Sequence, residues 1–138
     1  MTYLLDTNAC IAYLNDRHSA VAQRLVTARP EDVFLCQIVK AELYYGAYKS
    51  TRREENLALL RYFFGQFASL PFNDQASEIY GRIRAKLTVR GAPIGPNDLI
   101  VAAVAVAHNA TLVTHNTREF SRVGGLRFED WEIDRKSR

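Results

Sequence analysis

Three carboxylates stand where a carboxylate is costly. Leu4-Leu5-Asp6-Thr7-Asn8 reads as the end of an apolar strand, starting at residue 2 or 3, that runs into an acid, a hydroxyl and an amide. In a parallel α/β sheet that places Asp6 at a strand's carboxyl end, where such folds gather their ligands. Glu42 has Ile38, Val39, Tyr45 and Gly46 three and four positions away on a helical pattern. A charge within that stripe must be paired, neutralised or bound to metal. Asp98 is the sole charge on a helical stretch whose body, Leu99 to Ala107, carries no polar side chain.

Each acid alone has a plainer explanation. Asp6 could be an N-cap, Glu42 half of a structural salt bridge, and Asp98 a helix-dipole contact worth about 0.3–1 kcal/mol. Thr7 and Asn8 can cap as well as Asp6, however, which would leave Asp6 free to face a ligand. Three such acids in one small domain point to a shared cation. A fourth position lies in His115-Asn116-Thr117-Arg118-Glu119-Phe120, where Asn116 and Glu119 are both oxygen donors beyond a strand end and either could complete the set. His115 reads as polar surface, and Glu119 could equally be a solvated charge paired with Arg118 or Arg122.

An all-oxygen set suits a hard cation, Mg²⁺ with Mn²⁺ as substitute, in preference to zinc. Magnesium held by carboxylates is a device for phosphodiester cleavage, activating water and stabilising the attacking and leaving oxygens. On this reading Asp6, Glu42, Asp98 and Glu119 are the candidate catalytic acids, and Asp6, Glu42, Asp98 and Asn116 the candidate metal ligands. Thr7, Asn8, Arg118 and Arg122 are candidate substrate contacts. Acids repel phosphate, so a phosphodiester substrate must also meet bases, and Arg118 with Arg122 is the preferred pair. Arg82, Lys86 and Arg90, four residues apart, and Lys49, Arg52 and Arg53 read as further basic groups or as solvated faces.

The elements that must hold these residues alternate between the two periods. A helix from Ala9 to Leu14 follows the first strand, with Asp6, Thr7 and Asn8 available as caps. Ser19 to Ala28 is helical, Val33 to Cys36 a strand, and Gln37 to Lys49 and Glu54 to Phe67 helices. Ser69 to Phe72 is a strand candidate, Asp74 caps a helix running to about Val89, and Gly95-Pro96-Asn97-Asp98 opens the apolar helix. Thr111 to Thr114 and Leu126 to Phe128 are the last strands. A helix apolar all round is a buried one. The alternation predicts an α/β fold of three layers, a central mostly parallel sheet flanked by helices.

The chain of 138 residues, 48% hydrophobic and 24% charged, reads as one domain over 1–138, its tail after about residue 133 expected to fray. No apolar run reaches membrane-spanning length and no signal-peptide pattern opens the chain, so a soluble cytoplasmic protein is expected. Cys10 and Cys36 have no metal-ligand spacing and read as reduced core thiols. The net charge of +3 permits a nucleic-acid partner without demanding one. Tyr44, Tyr45, Tyr48, Phe63, Phe64 and Phe67 read as core, with some available to line a groove for an amphipathic helix.

Leu4-Leu5-Asp6-Thr7-Asn8, Ala41-Glu42-Leu43-Tyr44-Tyr45-Gly46, Pro93-Ile94-Gly95-Pro96-Asn97-Asp98 and Leu112 through Phe120 occur in the order seen in VapC toxins of the PIN-domain family, which this chain resembles. The resemblance continues through Val123-Gly124-Gly125-Leu126 and Glu129-Asp130-Trp131. It implies a Mg²⁺-dependent endoribonuclease, the toxin half of a toxin–antitoxin pair, inhibited by a VapB-type antitoxin and dimeric. Asp6, Glu42 and Asp98 match the family's acidic positions, and Asn116 and Glu119 are candidates for the fourth. The Asn-Thr-Arg-Glu-Phe and Gly-Gly-Leu-Arg ending resembles the enteric branch, which implies initiator tRNA, cut in the anticodon stem-loop, as substrate. Where family members often carry Ser or Thr before the helical Glu, this chain has Cys36-Gln37-Ile38-Val39.

Two other readings stay open at this level. A PIN-like module with a weakened site, binding RNA or a partner without cutting, would follow if Asn116 costs the site a charge. A phosphatase using Asp6 as covalent nucleophile would want a second acid two residues on, where the chain has Asn8.

Overall fold

The computed structural model describes residues 1–133, so the expectation for the tail falls on residues outside those described. Five short strands form one sheet: β1 Tyr3–Leu5, β2 Val33–Leu35, β3 Ala68–Ser69, β4 Thr111–Val113 and β5 Arg127–Glu129. Their order is β3-β2-β1-β4-β5, and every pairing is parallel, not merely most. Leu4, Leu5, Val33, Leu35, Leu112 and Val113 are buried, as strands covered on both faces require.

The helices are α1 Thr7–Asn15, α2 Ala20–Thr27, α3 Gln37–Lys49, α4 Arg53–Phe64, α5 Asp74–Val89, α6 Pro96–Ala107 and the four-residue α7 Thr117–Phe120, with a 3₁₀ turn at Pro30–Asp32. Sequence periodicity does not disclose α7, because a single turn is shorter than the repeat that would reveal it. α4 ends at Phe64, three residues before the expected Phe67, with Gly65 as its C-cap. The cap of α5 is Asn73, whose side chain accepts from the Ala76 amide, not Asp74.

In β1-to-β2 the chain moves one way across the sheet, and in β3-to-β4 it crosses to the other side of β1. The carboxyl ends of β1 and β4 therefore flank the topological switch point, the usual crevice for a ligand in an open parallel sheet. α6 supplies the crevice's third wall. Val101 to Ala105 are each 1% exposed or less, and the helix packs against α5, α3 and β4. Pro96 occupies its first turn, where a missing N–H costs nothing. α5 closes with Gly91 at φ 65° and the Ala92 amide on the Leu87 carbonyl at 3.0 Å, a left-handed cap that turns the chain toward Asp98.

Candidate functional site

Asp6 sits one residue beyond β1, 5% exposed, its amide tied to the Val113 carbonyl of β4 at 3.1 Å. Of the three residues available to cap α1, it is Asp6 that does so: its Oδ1 accepts the Ala9 amide at 2.8 Å. α1 begins at Thr7, so only Asp6 has the extended backbone a cap requires. Capping uses one of its two oxygens. Burial pushes the Asp6 carboxyl up to about 6, helped by the charges of Asp98 and Glu132, while the Thr114 hydroxyl and the Ala9 amide pull it back.

Thr7, a candidate substrate contact, is half-buried and engaged within the site. Its hydroxyl donates to Glu42 Oε1 at 2.7 Å, fixing a half-buried carboxylate of α3 against the start of α1. Asn8 is exposed. Asp98, half-buried in the first turn of α6, is held above the usual carboxylate range by burial and by the charges of Glu119 and Glu42.

The two fourth-position candidates are partners of one another. Asn116 Nδ2 donates to Glu119 Oε2 at 2.8 Å, and Glu119 Oε1 accepts the Gly95 amide at 2.9 Å. Glu119 is thereby clamped between α7 and the loop leading to Asp98, and these hydrogen bonds hold its carboxyl below the ordinary range. Neither the Arg118 nor the Arg122 guanidinium comes within 4.0 Å of the Glu119 carboxylate; Arg122 Nη1 instead donates to the Pro93 carbonyl at 3.0 Å. Arg118 is exposed.

Asp6, Glu42, Asp98 and Glu119 thus share one electrostatic neighbourhood at the carboxyl end of the sheet. Among the described residues, no Lys or Arg side-chain nitrogen lies within 4.0 Å of a carboxylate oxygen of any of the four. Half-buried acids that repel one another and lack a basic partner are an environment a divalent cation would relieve, and the oxygen-only donors fit a hard one. The spacing is wide: Asp6, Glu42 and Asp98 do not bring one oxygen each within 4.8 Å of all the others. Among the described residues the group that meets that distance is His115, Asp130 and Glu132. A hard cation that keeps several waters needs only one or two direct carboxylates, so the wider set suits it better than a closed cage would.

The tighter group sits on the same rim. His115 follows β4 and accommodates Asp130 Oδ2 at 2.9 Å and Glu132 Oε2 at 3.7 Å. The hydrogen bond to Asp130 raises the imidazole's pKa above its ordinary value. His115 is exposed as expected, but it is an ion-pair partner as well as a surface group. Thr114, Asp130 and Glu132 are not among the site residues expected from the sequence, where Thr114 is read only as a strand end and Asp130 only as part of the family resemblance. Thr114 carried a usable signal, since it ends β4 as Asp6 ends β1, one strand away. The acids after β5 carried none, being one charged stretch among several.

Both cysteines are buried and free, and burial raises both thiols, Cys36 to about 11. Beside Glu42 runs a groove of about 350 Å³ between α1, α3 and α4, walled by Ile11, Leu14, Leu43 and Leu59. The expected aromatics do not line it. Phe63 and Phe64 are core, Phe67 is half-buried against Phe63, and Tyr45 and Tyr48 face solvent.

The family model described as PIN domain matches residues 3–126. Ribonuclease VapC2 of Rickettsia felis is 38% identical over 133 residues, 96% of this chain and 99% of that one. The tRNA(fMet)-specific endonuclease VapC of Shigella flexneri is 38% identical over 131 residues, 95% of this chain and 98% of its own. The crystal structure of VapBC2 from Rickettsia felis bound to a promoter DNA fragment contains a chain that superposes with a TM-score of 0.88 at 37% identity, covering 95% of this chain and 99% of that one.

Proposed function

The chain belongs to the PIN-domain family and to its VapC ribonucleases, and we propose that it is a Mg²⁺-dependent endoribonuclease, the toxin half of a toxin–antitoxin pair. The observation that carries this reading is the set of Asp6, Glu42 and Asp98, brought from three distant segments to one end of the sheet with no basic partner among the described residues. Near-full-length identity to proteins named ribonuclease and endonuclease supports it.

Asp6 and Asp98 would hold the cation, with Glu42 oriented toward it by Thr7. Mn²⁺ would substitute. Bound there, a divalent cation supplies Lewis acidity at a phosphoryl oxygen and eases deprotonation of the attacking water. Glu119, its charge fixed by Asn116 and Gly95, would complete the negative field and position the Asp98 loop. Asn116 contributes through that bond, leaving its carbonyl oxygen as the only donor it could offer the cation. Asn8, Arg118 and Arg122 stand on the rim where RNA would lie.

The tRNA(fMet)-specific relative from Shigella flexneri makes tRNA(fMet) the first substrate to test, and the resemblance to the enteric branch makes the anticodon stem-loop the first place to look for the cut. A VapB-type antitoxin is the proposed partner, its amphipathic helix seated in the aliphatic groove beside Glu42. A homodimer completes the reading, with the exposed Tyr45, Tyr48 and Tyr62 available to a second copy.

Purified protein incubated with tRNA should cut it in Mg²⁺ and not in EDTA, and Asp6→Asn should fold and fail to cut. Sequencing RNA 5′ ends after brief induction in cells should return one dominant cut in one tRNA. Undiminished cleavage by Asp6→Asn, or binding without cleavage in Mg²⁺, would defeat the proposal.

A further inference from the structure

A second cleft, of about 320 Å³, opens between α5 and the segment after α7, and four cations line it: Arg82, Lys86, Arg90 and Arg122. Its floor includes Ile83 and Leu87, both buried. Cations over a low-dielectric floor produce a stronger field than the same charges dispersed in water. Among the described residues none of the four has a carboxylate within 4.0 Å.

Arg17, Lys40, Lys49, Arg61, Arg84 and Arg118 share that lack, so what sets the four apart is that they line one cleft, whereas other basic side chains are engaged elsewhere. Arg24 pairs with Glu129, Arg29 with Glu31 and Asp32, and Arg52 with Glu55. Arg53 donates to the Tyr48 carbonyl, and Arg127 to Asn109. Three of the cleft's cations recur every four residues along α5, stepping about 6 Å along the helix axis. A row of like charges at that interval costs the free protein repulsion and matches a linear polyanion.

Arg122 links the cleft to the acidic site, its charge acting on Glu119. Arg122 holds the Pro93 carbonyl, the Pro93 loop runs to Gly95, the Gly95 amide holds Glu119, and the Glu119 charge raises Asp98. A strand crossing the acids, which repel its phosphates, would reach this row next.

We propose that the Arg82–Lys86–Arg90–Arg122 cleft binds the phosphodiester backbone of the RNA substrate on one side of the scissile bond. It anchors structured RNA that the acidic centre alone would repel. The inference rests on the ribonuclease reading and adds a binding site distinct from the carboxylates.

The test measures binding of a fluorescein-labelled RNA stem-loop in EDTA by the full chain carrying Asp6→Asn, so that no cleavage intervenes. Adding Arg82→Gln and Lys86→Gln should raise Kd roughly tenfold at physiological salt and reduce the slope of log K against log salt by about 2. Removing the same charge as Arg52→Gln and Arg53→Gln should leave the slope unaltered, and thermal melts of both variants check that the fold persists. Equal slopes for Arg82→Gln/Lys86→Gln and its parent, or equal losses in the two double variants, overturn the proposal. If the wild-type chain cuts RNA while the cleft variant binds normally, only this inference falls. If the wild type neither binds nor cuts RNA, the function reading falls and takes the cleft with it.

Discussion

Thr7 and Glu42, 35 positions apart, meet in a 2.7 Å hydrogen bond from hydroxyl to carboxylate. One lies on the helix that Asp6 caps and the other on α3, so this bond ties the second acid to the first. A partner of this kind, holding a ligand's orientation, commonly accounts for 10–100-fold in metal affinity or activity. Thr7→Val should therefore raise the Mg²⁺ concentration for half-maximal cleavage by roughly 10-fold or more. Thr7→Ser, which keeps the donor, should restore it. A Mg²⁺ titration of cleavage rates by the three proteins checks this, and an unchanged valine variant would show that Glu42 needs no orientation.

Asp6 makes stability depend on pH. Its folded pKa, raised from 3.8 to about 6, means the native state holds a proton that the unfolded chain has released in that window. Stability from this group is complete below 3.8 and is lost as pH rises toward 6, a fall of about 3 kcal/mol for a shift of roughly two units. Asn caps a helix as well as Asp. Asp6→Asn in EDTA should therefore be more stable than wild type at pH 7, with the gap closing toward pH 4. Denaturant melts across that range test the sign, and Mg²⁺ should stabilise wild type but not the variant.

Glu119 is held by Asn116 and Gly95, and its charge helps raise Asp98. Glu119→Gln should lower the Asp98 pKa, readable by carboxyl-carbon NMR. It should shift half-saturation by Mg²⁺ roughly 10-fold, as a supporting group does, whereas Asp98→Asn should abolish cleavage. Abolition by Glu119→Gln as well would make Glu119 a direct ligand.

His115 gains a proton partner on folding. Its imidazole lies above the usual 6.5 because of Asp130, with Glu132 and Asp6 adding to the shift. The contribution is fully present below the unfolded pKa and lost as pH rises through the folded one. In an NMR titration of the metal-free protein, Asp130→Asn should bring the His115 midpoint down. No movement would separate the two groups in solution.

Gly91 holds φ 65° with open space where a Cβ would project, so a side chain there meets only backbone strain. Gly91→Ala should cost about 1 kcal/mol in denaturant melts. A stabilised variant would mean the left-handed turn is not kept in solution.

The sequence by itself determined the alternation of strands and helices, and with it a parallel sheet. Apolar runs such as Leu4-Leu5 and Leu112-Val113 admit few other partners, and the period change after each fixes where the chain turns. It also marked Asp6, Glu42 and Asp98, because a charge at the end of an apolar strand, or within an apolar stripe, violates the local pattern around it. Tertiary structure alone decided how those acids are used. That Thr7 serves Glu42, 35 positions away, and that Glu119 holds the Gly95 amide, 24 positions away, depend on distances between remote segments, whereas the Asp6 cap and the Asn116–Glu119 bond are local, each joining residues three apart. The same holds for the basic cleft: the spacing of Arg82, Lys86 and Arg90 was visible, but Arg122 joins them only because the segment after α7 folds back beside α5. Periodicity reports which face a residue occupies, and only packing reports what faces it.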